Sequence, residues 1–303
     1  MSVITTGTNP KLLWPGLKAI WGNNYEEHDL EWKKLFTVES SDKAREEDQQ
    51  VTQFGLVPIK DQGGSTSYDT EGQGYNKAYN HLTYSMGFIV SMEERQDNLY
   101  EEVARRRTQG LAFSLRQTEE IVHANIFNRG FTAAYSGGDG KELFATDHPT
   151  RAGGTQQNEL TVAADMSEAS LEDLCILIMG AENDRGLKIS LMPNQLVVPR
   201  QLWYEANRIV NSTLQNDTAN NAINVLKATN AFPGGIVMNH YLTDQDAFFV
   251  TTNAPRGLMH FNRMAATFTE DNDFDTENMK YKVVRRFSAG WTDWRGCYGS
   301  PGA

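Results

Sequence analysis

The sequence predicts an α+β protein, and three observations carry that reading. Val51 to Gly130 reads as a long β-hairpin that runs into one very long helix. Ser167 to Asn253 alternates short apolar strand candidates with helix candidates, as a compact α/β unit does. From Arg256 onward the pattern is strand-like again.

Bulk composition narrows the function classes. A chain of 303 residues suggests about two domains. With 39% hydrophobic and 22% charged residues it has the make-up of an ordinary globular protein with a real core. The formal charge of -11 disfavours direct reading of DNA or RNA, because binders of polyanions are usually basic. Two distant cysteines, Cys175 and Cys297, do not make a disulfide framework, so a reducing cytosol is the expected compartment. Cys175 lies in an apolar run and is expected to be a buried free thiol. The N-terminus has neither a basic nor an apolar signal region, and no apolar run reaches the roughly 18 residues that span a bilayer. The expectation is a soluble intracellular product with no membrane partner.

Residues 1–50 read as an extended arm, with Pro10 and Pro15 interrupting its start. Trp14, Trp21 and Trp32 are scattered among polar residues and need a surface to dock on, either a neighbouring subunit or their own core. Asp42 to Gln50 reads as a charged connector. Val51 to Lys60 and Tyr79 to Ser91 are the two hairpin strands, with Pro58 marking an edge or an end. The tip between them, Asp61 to Lys77, is rich in Gly, Ser, Thr, Asp and Gln. A projecting arm with such a tip cannot stabilise its own monomer by burial. It makes sense lying on another subunit, which makes Gly63, Gly64, Tyr68 and Tyr75 candidate contacts.

Gln96 to Asn128 reads as one helix, with Gly130 as its stop and Gly110 as a point where it could bend. Glu101 and Glu102 precede Arg105 and Arg106 by four residues, the favourable order for surface pairs. The apolar stripe is not a clean heptad, so a spine laid across a sheet is favoured over a coiled coil. Glu142 to Ala145 is a short strand candidate in a loop-rich stretch. Ser167 opens a helix running to about Gly186. There follow a strand at 195–198, a helix at 200–211, a short helix at 217–227, and strands at 235–241 and 247–251. Met259 to Phe268 and Lys280 to Phe287 are the return strands. Acidic Asp271 and Asp273 lie before basic Arg285 and Arg286; such blocks are either solvated faces or pairs between subunits.

No motif for chemistry survives inspection. None of the six histidines makes an HExxH or His-x-His pair. Asp147-His148-Pro149 is the one catalytic-looking pair, and no GxSxG accompanies it. Ser136 to Lys141 resembles a phosphate loop but has Tyr135 and Glu142 where Gly and Ser/Thr are required. Asp271 to Asp275 begins like a calcium loop but has Thr276 and Lys282 where Gly and Glu are needed. No cofactor and no metal is expected.

Three passages carry a family resemblance: Gly140 to Thr155 (GKELFATDHPTRAGGT), Tyr241 to Val250 (YLTDQDAFFV) and Arg286 to Ala303 (RFSAGWTDWRGCYGSPGA). They resemble passages of tailed-bacteriophage major capsid proteins, nearest the Mu-like head subunits, whose fold is shared with herpesviruses and encapsulins. The resemblance implies an N-terminal arm at 1–50, an extended hairpin loop at 51–90 lying over a neighbour, a peripheral domain at 91–166 and 256–303, and an axial domain at 167–255. It implies a major capsid protein that is not an enzyme and self-associates through pentamers and hexamers into an icosahedral shell around double-stranded DNA. Such a virion subunit would be assembled in the host bacterial cytoplasm with a portal, a scaffold and in some relatives decoration proteins. No proteolytic processing is expected, since no long charged prefix precedes the arm. The alternatives are an encapsulin-type compartment, and a hydrolase using Asp147 and His148.

Overall fold

The computed structural model describes residues 10–27, 29–50, 52–96, 100–151, 153–214, 222–273 and 275–303, with the side chains of 10–16, 95 and 100–102 left aside. In chain order the elements are α1 (Pro10–Glu27), a 3-10 turn (Trp32–Lys34), β1 (Thr37–Ser40), β2 (Arg45–Gln49), β3 (Asn76–Asn80), β4 (Leu82–Val90), α2 (Met92–Gln96) and α3 (Tyr100–Asn128). Then come β5 (His148–Pro149), β6 (Thr155–Gln156), α4 (Glu168–Met179), β7 (Pro193–Pro199), α5 (Trp203–Asn211), α6 (Val225–Ala228), β8 (Ile236–Asn239) and β9 (Phe248–Thr252). The chain ends with β10 (Leu258–Asn272), β11 (Met279–Trp291), a 3-10 turn (Trp294–Gly296) and β12 (Cys297–Ser300).

Two four-stranded sheets organise the chain, ordered β1-β10-β11-β4 and β12-β9-β7-β8. The 29-residue α3 lies on the first sheet, and at 1.5 Å per residue it is about 43 Å long. Its buried Ala104, Leu111, Ala112 and Leu115 pack against Val90, Phe268, Tyr281 and Val283 of the strands and Leu17 and Trp21 of α1. Small residues at 104 and 112 allow this close approach. The helix runs through Gly110 unbroken. Further along, Phe127 joins Leu143, Phe144, Val197, Phe249 and Trp32 in a second cluster that ties α3 to the second sheet. The alternate residues of that sheet, Leu196, Val198, Phe248 and Val250, face α4 and α5 in a third cluster. Period-two alternation thus covers the sheet on both faces.

Two short segments, 252–258 and 291–297, carry the chain directly from one sheet to the other. There Gly257 and Gly296 meet backbone to backbone: a Cβ on Gly257 would stand 2.7 Å from the Gly296 Cα. Arg256, immediately before, adopts the left-handed region at φ 55°.

Several sequence expectations are corrected here. Residues 52–60 form no strand. The ladder at the root of the loop is Arg45–Gln49 against Asn76–Asn80, built on part of the supposed charged connector. Pro58 has no N–H to give a ladder, whereas in β2 the inward polar residues Glu46 and Asp48 are satisfied by Ser41, Arg256 and Thr292. The second expected strand is split: Asn76–Asn80 pairs with β2, and Leu82–Val90 pairs with β11.

The supposed extended N-terminal arm is helical over Pro10–Glu27. Pro10 is the first described residue of that helix. Leu17 and Trp21 lie four apart on its inner face. Glu142 to Ala145 is irregular, because its backbone is satisfied singly by Gly130 and Asn158 and not by a neighbouring strand. Helix α4 stops at Met179, not near Gly186, since Gly180 caps it. Its start follows the expectation: Ser167 and Ser170 form a reciprocal capping box. The short helix expected at 217–227 falls in part outside the described residues, and among the described ones Val225–Ala228 is helical.

Candidate assembly surface

The loop between β2 and β3 has a buried polar root. Asp48 accepts from Arg256 Nη1 at 2.7 Å and from Thr292 Oγ1 at 2.6 Å, and Tyr79 OH meets the same Thr292 hydroxyl at 2.7 Å. Gln50 Nε2 donates to Asp293 Oδ1 at 3.0 Å. Arg295 in turn donates to Asp293 through its backbone N–H at 3.0 Å and to Asp184 at 2.8 Å. Burial raises the Asp293 carboxyl above its ordinary range, with Arg295 pulling the other way. The network joins the loop root to both crossings between the sheets. A buried polar set of this kind holds one geometry because any displacement orphans several groups.

Beyond that root the loop carries its apolar residues outward. Leu56, Val57, Ile59 and Tyr68 are 80%, 94%, 97% and 92% exposed, and Phe54 is also exposed. A run of large apolar side chains on a projecting segment marks an interaction surface. Sequence reasoning missed Phe54, Leu56, Val57 and Ile59, having placed them in a strand of a hairpin. The available signal was that a continuous Leu56-Val57-Pro58-Ile59 run contains a proline and lacks period-two alternation.

The predicted contact residues fall in several places. Gly63, Gly64 and Tyr68 lie on the exposed tip, where Gly63 takes φ 82° in a turn closed by Gly64 N–H to Asp61 O at 3.0 Å. Arg105 and Arg106 are exposed on α3, while the side chains of Glu101 and Glu102 lie outside the described residues. Tyr75 sits at the root, its carbonyl accepting from Gln50 N–H at 2.9 Å.

The remaining predicted residues are engaged within the chain. Trp21 is buried and stacks on Tyr25 at 5.0 Å. Trp32 is 1% exposed and stacks on His123 at 4.1 Å. The Trp14 side chain lies outside the described residues. Arg285 is buried in an ion pair with Glu119 and also bonds the Tyr25 hydroxyl, which itself donates to Glu119 at 2.5 Å. Arg286 Nε donates to His81 O at 3.4 Å. The acidic and basic blocks meet across one hairpin: Asp271 stands opposite Lys280, and Lys280 pairs with Asp273 at 2.6 Å.

The catalytic-looking residues are structural in their contacts. His148 is fully buried, stacked on Trp294 at 4.4 Å, with Asp139 at 2.6 Å and Asn158 Oδ1 at 3.1 Å on its two ring nitrogens. Asn158 Nδ2 donates to the carbonyls of Leu143, Trp294 and Cys297, which sews the 143–158 loop to the C-terminus. Asp147 pairs instead with Lys141 at 2.5 Å. His123 and His260 form a buried pair, Nε2 to Nδ1, at 2.9 Å. Among the described residues no group of His, Cys, Asp or Glu could hold a metal ion, and no helix is long and apolar enough to cross a membrane.

Residues 75–300 match the family described as phage capsid protein. Among solved structures, a virus-like particle from Pyrococcus furiosus is similar at 13% identity and TM-score 0.55, covering 95% of this chain and 99% of that one. A phage-related protein from Bordetella bronchiseptica is similar at 13% identity and TM-score 0.52, covering 93% and 95%. The procapsid of bacteriophage JBD30 is similar at 15% identity and TM-score 0.50, covering 98% and 76%. These likenesses place the chain in the capsid fold. No curated protein matches it.

Proposed function

This chain belongs to the phage capsid protein family, and we propose that it is the major head subunit of a tailed phage, building an icosahedral shell of pentamers and hexamers around double-stranded DNA. The observation that supports this reading is the apolar run at Leu56–Ile59, exposed on a loop whose root is fixed by buried hydrogen bonds. A run on one part of the chain that fits a surface elsewhere on an identical chain makes a heterologous contact, which gives rings when the rotation between copies closes. The role is structural, and the net charge of -11 keeps packaged DNA from adhering to the wall. Assembly takes place in the host bacterial cytoplasm, with a portal and a scaffold as partners.

Electron microscopy and sedimentation of the expressed protein, with scaffold supplied, test the reading. The unaltered chain is expected to give closed shells. Deletion of 57–67, which lies beyond the described root, is expected to keep the circular dichroism spectrum and abolish them. An unaltered chain that stays monomeric at high concentration refutes the proposal, and normal shells from the deletion refute the loop's part in it. Shells that carry a protein cargo in place of DNA would instead make this an encapsulin-type compartment.

A further inference from the structure

The loop is tied down a second time, farther out, by two arginines from a different part of the chain. Arg185 Nη1 pairs with Asp69 Oδ2 at 2.5 Å, and its Nη2 donates to Thr70 O at 2.6 Å. The same Asp69 oxygen accepts Gly55 N–H at 2.8 Å, so this one carboxyl draws the outgoing and returning limbs together. Arg151 Nη1 donates to Gln73 O at 2.5 Å, across Gly72, where any Cβ would overlap its guanidinium. Arg185 has a rigid mount. Asn183 Oδ1 accepts the backbone N–H groups of Arg185 and Leu187, both at 2.9 Å, and the intervening Asp184 is buried against Arg295.

The two tiers differ in kind. The root is buried and shared with the crossings between the sheets, so a pivot there would orphan several polar groups at once. The outer tier is open to water: the Arg185 and Asp69 side chains are 34% and 44% exposed. Exposed pairs of this sort are weak and are screened by salt. Every residue with a large exposed apolar side chain between Leu56 and Tyr68 lies beyond this second tie.

We propose that Arg185, with Arg151 beside it, is a releasable clamp that sets the direction in which the loop presents its apolar run, and that ionic strength loosens it. Its use rests on the assembly reading, but the clamp itself belongs to the free subunit. In the clamped state the run points along one course. In the released state the limbs move about 53–55 and 69–73 while the β2–β3 root stays in place.

Hydrogen-exchange mass spectrometry on the unassembled subunit tests this. Arg185→Ala and, separately, Asp69→Ala are expected to speed exchange about five-fold at 53–57 and 69–73 and leave β2 and β3 unchanged. Raising salt from about 0.05 M to about 1 M should speed the same peptides in the unaltered chain and not in Arg185→Ala. The clamp is overturned if both single variants exchange like the unaltered chain, or if their acceleration spreads over the root. Microscopy of the unaltered chain tests assembly alone: failure to form shells refutes the assembly reading with the clamp intact, and unchanged exchange refutes the clamp with assembly intact.

Discussion

Replacing Arg285 by Met leaves the Glu119 carboxyl fully buried with only the Tyr25 hydroxyl for company. Glu119 is 0% and Arg285 8% exposed in the side chain, and the second Glu119 oxygen already has no hydrogen-bond partner. Breaking a buried pair from one side costs about 3–5 kcal/mol, a large share of the roughly 5–15 kcal/mol that holds a domain together. The loss should also loosen α1, because Tyr25 connects that helix to the pair and Arg116 bonds the Tyr25 carbonyl near its C-terminal end. Replacing both charges, Arg285→Met with Glu119→Leu, should recover most of the loss. What remains is the stranded Tyr25 hydroxyl, at about 1–3 kcal/mol, and adding Tyr25→Phe should remove that too. Urea unfolding of the unassembled subunit, followed by tryptophan fluorescence, reads the series; Trp21 and Trp32 report on α1 and on the core beneath α3. The stated order is single variant least stable, double intermediate, triple most stable of the three. A single variant within about 1 kcal/mol of the unaltered chain, or a double no better than the single, would show that the pair is not the energetic link between α1, α3 and β11.

Three further outcomes follow from other buried groups. Burial holds His123 neutral in the fold down to about 3 and His260 down to about 2, whereas in the unfolded chain each protonates below about 6.5. The unfolded chain then binds more protons, so stability falls with acid by up to about 1.4 kcal/mol per pH unit for each ring. Glu120 opposes this, since burial raises its carboxyl to about 7 and stability is gained as pH falls from there to 4.5. Urea midpoints between pH 7 and 5 should therefore fall more steeply in Glu120→Gln than in the unaltered chain, and equal slopes would refute the assignment. Gly296→Ala is expected to cost about 1–3 kcal/mol, as overpacked core sites do, because its Cβ would overlap the Gly257 backbone; a thermal midpoint unchanged within error would contradict the close crossing. Burial pushes the Cys175 thiol up to about 11 and Cys297 higher still, so both should resist thiol reagents at neutral pH until urea unfolds the chain. Fast labelling of Cys297 in the folded protein would falsify its placement.

What was legible in the sequence had short-range causes. Ser167 and Ser170 cap α4 with side chains three residues apart, and the apolar stripe of α3 needs no more than its own period. The runs Leu196 to Val198 and Phe248 to Val250 are buried on both faces, and such runs read as strands from composition alone. The elements that were misread depend on distant partners. Strand β2 is REEDQ, whose polar alternation resembles a linker until Arg256 and Thr292 supply partners for Asp48 from more than 200 residues away. Helix α1 acquires its inner face against α3 and Phe268 of β10, and its two prolines argued against a helix. The run at Phe54 to Ile59 looked like half of a hairpin despite Pro58 and its missing alternation, because whether the opposite limb pairs with it is decided outside the run.

By itself the sequence determined the class of the fold, the long helix, the second sheet's apolar strands and the family resemblance, because periodicity, capping and motif spacing are properties of adjacent residues. Only the tertiary structure decided which polar residues are buried and paired, and therefore where the loop begins. Charged and polar groups leave water only for a partner, and the partner's place in space is fixed by the whole chain. That rule moves Arg285 into the interior beside Glu119 and ties the loop root to Asp293 and Thr292, while Trp21 and Trp32 go inside for their apolar area.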